Sequence, residues 1–290
     1  MASLRRAGLI ALLASLPAAS FYMALVFDPR WVAVVIAAAL AYGFMSPVVA
    51  ARRLYFLAGA SAHSALLAAV LAIPLTAWVS AIAEPVWAVL VGLALMYVVG
   101  YMIHKGVDQD TATAVFVAAT ASASVLAIYY VLTRFPLRAE LWAIIVGDPL
   151  LASWADAWNA LLVASSTALA VLLTYREQIY VGLDREFVAL SGARLWLYDW
   201  LTFTFLGITT VALIRIVGFV LEHVLLLLPA AIATRLAKSS RGVLLTSISV
   251  STASALLGLY LAILLDQSPA GLIGAVLLGA YLLALTIRKQ

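Results

Sequence analysis

The chain of 290 residues contains no cysteine. Disulfides, thiolate metal sites and cysteine nucleophiles are excluded by that alone, while nothing follows about the compartment. Charge is scarce as well: Asp, Glu, Lys and Arg together supply 10% of the residues, and histidine occurs three times. A soluble domain of this length needs far more polar surface, so a water-solvated globule is excluded. The sequence also lacks a GxxxxGK[ST] phosphate loop and an HExxH pair. Nucleotide hydrolysis and zinc-peptidase chemistry therefore miss their usual groups.

What is abundant is apolar. Residues of the AVILMFWYC set make up 66% of the chain, and the mean hydropathy is +1.13. Uncharged runs cover residues 7–27, 31–51, 61–83, 85–103, 111–133, 157–175, 243–265 and 268–287. Each is close to the ~20 residues a helix needs to cross roughly 30 Å of hydrocarbon. An all-α polytopic membrane protein is expected, a single transmembrane domain over residues 1–290. The first run follows Arg5 and Arg6 and continues through Phe27. It is too long for a cleaved signal core and reads as a retained span.

Residues 199–237 are also apolar, and 39 residues at about 1.5 Å each extend roughly 58 Å, enough for two crossings with almost no loop. Gly218 offers a break. Two arrangements fit, a hairpin of two spans or one span followed by a discontinuous segment. The expected total is eight to ten spans.

Lys and Arg set the orientation. With the amino terminus inside, one set of loops holds Arg5, Arg6, Arg52, Arg53, Lys105, Arg176, Arg185, Arg194, Lys238, Arg241, Arg288 and Lys289, and the other holds Arg30, Arg134 and Arg138. Twelve against three puts both termini in the cytoplasm of a cell-membrane protein. The net charge of +4 arises from these anchors and calls for no nucleic-acid partner.

Polar connections are short. The cytoplasmic segment 176–199 contains a predicted helix from Asp184 to Ser191 closed by Gly192. The outer segment 134–157 carries Pro136, Glu140, Asp148, Pro149, Trp154 and Asp156 and reads as a partly helical cap. Asp110 is expected to N-cap the helix that begins at Thr111.

Ionisable groups inside the apolar runs are few. His63 lies early in the third run, and Glu222 and His223 stand side by side after Gly218. Such groups are costly at bilayer depth unless they face water, a partner or a cargo. For His63 a buried structural histidine and a transient cation ligand are both open. For Glu222 and His223, a wet path and a solvated turn are both open, and adjacent side chains on a regular helix diverge by about 100°. Arg215 is seven residues before Glu222 and is expected to pair with it on a continuous helix.

Several blocks then match one family in order. The run 217–239, VGFVLEHVLLLLPAAIATRLAKS, resembles the signature of the zinc, manganese and iron ABC importer permeases: Val217, Gly218, the leucines 225–228, Pro229, Ala230, Ala231, Ala233 and Lys238. Asp184, Glu186, Phe187, Ser191 and Gly192 are similar to the family's acidic, aromatic, Ser-Gly segment. Further matches are ARRLYFLAGASAH ending in His63, KGVDQDTATAVF around Asp110, IIVGDPLL at Gly147, Asp148 and Leu150, and Asp266 with the Ser268-Pro269-Ala270-Gly271 turn. Two departures stand out: Gly59 replaces an aspartate four residues before the histidine, and Glu222 and His223 replace small or apolar residues.

The resemblance implies a permease subunit, not an enzyme, that pairs as a homodimer. It implies an ATPase subunit docked on segment 176–199, through Asp184, Glu186, Phe187, Ser191 and Gly192, and an extracytoplasmic metal-binding protein on the other side. The cargo would be a divalent transition metal, with no permanently bound cofactor and with His63, Glu222 and His223 as candidate ligands. The alternatives are a permease for a metal chelate of the siderophore or cobalamin type, and an intramembrane enzyme using Glu222 and His223 as acid and base.

Overall fold

The computed structural model describes residues 2–135, 142 and 144–286. Pro136, Arg138, Glu140, Arg288 and Lys289, which enter the orientation and outer-cap readings, lie outside them. The described chain is helical: α1 (Ala2–Val26), α2 (Pro29–Ala51), α3 (Tyr55–Trp78), α4 (Glu84–His104), α5 (Gln109–Arg134), α6 (Trp154–Leu183), α7 (Arg185–Leu190), α8 (Leu195–Leu236), α9 (Ser240–Leu265) and α10 (Pro269–Thr286), with a 3₁₀ turn at Pro149–Leu151. Among the described residues, eight helices are long and apolar enough to cross a bilayer, α2 to α6 and α8 to α10. This is a multi-pass membrane protein.

Helix starts coincide with side chains that accept the orphan N–H groups of a first turn. Asp28 accepts from Arg30 N, Asp184 from Phe187 N and Ser239 from Gly242 N. Ser153 and Asp156 form a reciprocal capping box at the head of α6. The cap of α5 is Asp108, which accepts from Thr111 N at 3.1 Å. Asp110, the expected cap, instead sits in the first turn. An N-cap side chain reaches two or three residues onward, so Asp108 has the geometry and Asp110 stands too close. The Thr111 N–H also holds the Asp108 carboxyl below its ordinary range.

Helix α2 is the buried axis, packed by α6, α8 and α9. Its crossing with α9 is close because Gly43 lacks a side chain: a Cβ there would lie 3.0 Å from Ile248 Cα. Serines exploit the proximity, Ser247 Oγ donating to Gly43 O at 2.9 Å and Ser251 Oγ to Ala39 O at 2.8 Å. In lipid, small residues and interhelical hydroxyl bonds replace the hydrophobic effect as the source of helix association.

Helix α8 reverses direction at Gly218. On its first arm Thr209 meets the Tyr42 hydroxyl, and Ile216 and Val217 have reached Val35 and Ala38. That arm runs antiparallel to α2. On its second arm Leu221 is still beside Val35 and Ala38, while Ala230 N donates to Ser46 Oγ at 3.0 Å. The second arm thus runs parallel to α2, back toward the end from which α8 set out. A single residue makes the turn: Gly218 has φ 78° and ψ 158°, a backbone region that residues with a Cβ avoid. The residues just before the 3₁₀ turn pack against this reversal through Gly147, where a Cβ would lie 2.1 Å from Val217 O. Of the two arrangements compatible with the sequence, the hairpin is realised. Counting the two arms of α8 separately, the eight membrane-length helices among the described residues give nine passes, within the expected eight to ten, and of α1 only Ala14–Val26 forms a shorter apolar stretch.

Candidate functional site

The hairpin carries His223 down the side of α3. Three rings meet there: His63 and Phe219 have centroids 5.0 Å apart, Phe219 and His223 4.9 Å, and the two imidazoles 6.0 Å. Two imidazoles on one ion, at ~2.0–2.1 Å from nitrogen to metal, have ring centres roughly 5 to 6 Å apart. Both histidines are half-buried, facing neither open solvent nor a sealed core. His223 Nδ1 lies 2.8 Å from Phe219 O. A carbonyl oxygen only accepts, so Nδ1 carries the proton and Nε2 of the neutral ring keeps its lone pair. This is the arrangement that fixes the tautomer of a ligating histidine.

Glu222 does not join them. It is fully buried, and both of its carboxylate oxygens lack a hydrogen-bond partner. Among the described residues no group of three His, Cys, Asp or Glu side chains is gathered tightly enough for a metal. The reason is the one visible in the sequence: neighbours on a regular helix diverge, so with His223 turned to α3, Glu222 faces the bundle interior. An acid–base pair of Glu222 with His223 is not formed either, since His223 Nδ1 goes to Phe219 O.

Arg215 does not pair with Glu222. Its Nη1 donates to Glu84 Oε1 at 3.2 Å, across to the start of α4. The expected partnership needed a continuous helix from 215 to 222, and the turn at Gly218 falls between them. Gly59 lines the same face of α3, and a Cβ on it would lie 3.8 Å from His223 Cδ2, an ordinary contact distance.

At the opposite end of the hairpin, α7 projects as the short helix expected from Asp184 to Ser191. Asp184 caps it, Ser191 Oγ donates to Val188 O at 2.7 Å, and Gly192 follows with φ 80°. Phe187 is 68% exposed and Leu190 87%. With Tyr180, Asp184 and Tyr198, Phe187 lines an open groove of about 520 Å³.

Behind α7 lies a polar cluster that sequence reasoning missed. Asp199, in the first turns of α8, accepts from Arg52 at the α2–α3 turn and from both arms of the Arg185 fork, at 3.0 and 2.5 Å. Gln178 completes it, its Oε1 accepting from Arg52 at 2.8 Å and Thr202 at 3.1 Å. Its Nε2 donates to Tyr198 O at 3.2 Å. In the sequence Arg52 and Arg185 stand among the topology-setting cations. Only the coincidence of an Asp at the end of the same segment hinted at a network.

The structure thus combines a bundle of membrane-length helices, an imidazole pair within it and an exposed connecting helix. The model of the ABC 3 transport family matches residues 25–288, and the chain belongs to that family. It is 26% identical to the manganese transport system membrane protein MntC of Halalkalibacterium halodurans over 180 residues, 62% of this chain and 61% of that protein. It is 25% identical to the "Probable metal transport system membrane protein" of Thermotoga maritima over 228 residues, 78% of each. The chain spans about half to three-fifths of the length of the first manganese-system relatives it matches. Its fold is similar to that in PsaBC of Streptococcus pneumoniae, solved in complex with Fab, with a TM-score of 0.80 at 18% identity over 94% of this chain and 96% of that one.

Proposed function

We propose that this chain is the membrane permease subunit of an ABC importer that carries a divalent transition metal into the cytoplasm. The observation that carries the reading is the His63–His223 pair, two imidazoles 6.0 Å apart inside the apolar bundle with one nitrogen lone pair held ready. Two ligands plus water hold an ion loosely, as a path must, where a storage site closes four. Manganese and metal transport named for the relatives agree with such a cargo. A metal chelate as cargo would leave the two imidazoles without a task. Glu222 stands in the wall beside this pair rather than in its donor set.

ATP is hydrolysed in a partner subunit that docks on α7, with Asp184, Glu186, Phe187, Ser191 and Gly192 as the contact. An extracytoplasmic metal-binding protein delivers the ion to the other face, and two copies of the chain pair around the path. Phe187 is the anchor of the docking face, a large apolar ring 68% exposed beside a groove. Truncating such an anchor costs about 2 kcal/mol of binding, roughly thirtyfold in affinity. Phe187→Ala is expected to weaken binding of the ATPase by that factor and to abolish ATP-dependent zinc or manganese uptake into proteoliposomes. Undiminished ATPase affinity in the variant, or wild-type uptake of neither metal, overturns the reading.

Both termini are assigned to the cytoplasm by the twelve-to-three distribution of Lys and Arg. With no native cysteine, single thiols report topology without background. Leu151→Cys, 76% exposed beside the hairpin turn, should react with an impermeant maleimide from outside intact cells. Lys105→Cys, exposed between α4 and α5, should react only after the membrane is opened. The reverse pattern inverts the topology.

A further inference from the structure

We propose that Asp199 is the positioning residue that links the docking helix to the imidazole pair, an inference that rests on the permease reading above. One carboxylate joins three elements. Arg185, the first residue of α7, grips it with a two-pronged fork. Arg52, whose side chain is only 6% exposed, reaches it from the turn between α2 and α3. Asp199 itself stands near the start of α8.

The two elements that Asp199 ties to α7, the α2–α3 turn and α8, lead to the two histidines. Arg52 ends α2, and α3 begins at Tyr55 after a turn of only Arg53 and Leu54, so displacing Arg52 displaces the base of α3. His63 stands eight residues up that helix, about 12 Å at 1.5 Å per residue. Helix α8 leads from Asp199 through the Gly218 turn to His223. A movement of α7 is thus delivered to both sides of the ring cluster through rigid helices. The buried end of the linkage is held in register by Gln178, whose Oε1 accepts from Arg52 and is itself fixed by the Thr202 hydroxyl. Its outer end is loose, since the Arg185 side chain is 53% exposed. A fork that is geometrically specific yet solvent-accessible can be made and broken as α7 is pushed.

Asp199→Asn would strand the buried Arg52 guanidinium and threatens folding, so the test cuts the exposed arm. The complex of permease and ATPase is reconstituted in proteoliposomes with Arg185→Gln or Arg185→Lys, and zinc uptake and ATP hydrolysis are measured together. Arg185→Gln should keep its ATPase and keep hydrolysing ATP while the zinc moved per ATP falls about tenfold, inside the usual range of coupling free energies. Arg185→Lys, retaining the charge but not the fork, should recover part of the loss. Zinc per ATP within twofold of wild type in Arg185→Gln overturns the inference. So does loss of the ATPase from the complex, which would make Arg185 a docking contact only. A wild-type complex that transports neither zinc nor manganese overturns the permease reading and this inference with it, and is told apart because it appears without any substitution.

Discussion

Gly218→Ala is expected to prevent the protein from accumulating in a folded form, and Gly147→Ala to do nearly the same. The two glycines meet backbone to backbone, and neither side can yield. A Cβ on Gly218 would lie 2.3 Å from Gly147 N and 2.4 Å from the Val146 carbonyl carbon. It would also have to adopt φ 78° and ψ 158°, at a strain of ~1–3 kcal/mol for a residue with a side chain. Overpacking adds roughly another 1–3 kcal/mol. The sum is a large share of the ~5–15 kcal/mol that holds a typical domain together. Gly106→Ala separates the two contributions: its φ is 89°, but nothing lies within 4 Å of the added carbon. Thermal melts of the detergent-purified variants by size-exclusion fluorescence should leave Gly106→Ala only modestly lowered and Gly218→Ala without a folded peak. Equal melting temperatures for the two would refute a packed turn at Gly218.

The same turn explains what could be read in advance and what could not. The spans were legible because a bilayer demands about 20 apolar residues at a stretch, a constraint local in sequence. The excess length of residues 199–237 and a glycine within it announced a discontinuity. Its form depended on Gly147, about 70 positions away, and on contacts of α2 with both arms. The expected Arg215–Glu222 pair fails for a related reason: helical spacing is a local rule, and the rule lapses where the helix folds back. Its partner, Glu84, is 131 residues distant.

The histidines illustrate the complementary case. Rarity within apolar runs singled out His63, Glu222 and His223, and rarity is visible in sequence. Which of them share a face depends on the helix phase after Gly218. The 100° divergence of adjacent residues foretold that Glu222 and His223 would part, without saying which would turn to His63. Asp199 carried no signal of rarity at all. At a membrane boundary charged residues are common, and only the tertiary arrangement singles out one carboxylate between two arginines.

Supplying the carboxylate that the imidazole pair lacks should convert a loose path into a site that retains its ion. Gly59→Asp is sterically permitted, because its Cβ would sit 3.8 Å from His223 Cδ2, and its carboxylate would extend from there toward the two rings. The donor set becomes two imidazoles and a hard oxygen, which accommodates manganese better than imidazole alone. Without metal the added charge stands unpaired inside the membrane, at a cost of ~2.5–3.5 kcal/mol on insertion scales, so the purified variant should melt below wild type. Manganese should then restore it: ligand at a hundred times its dissociation constant contributes about 2.7 kcal/mol to the folded state. His223→Ala in the same background removes one ring, and the manganese-dependent rise in melting temperature should vanish. In the wild-type background, His63→Ala and His223→Ala should each lower zinc uptake per folded molecule at least about tenfold, the lower end of what disturbing a metal site costs. If manganese fails to raise the melting temperature of Gly59→Asp, the carboxylate and the imidazoles do not share an ion, and the pair is a packing contact between α3 and the hairpin.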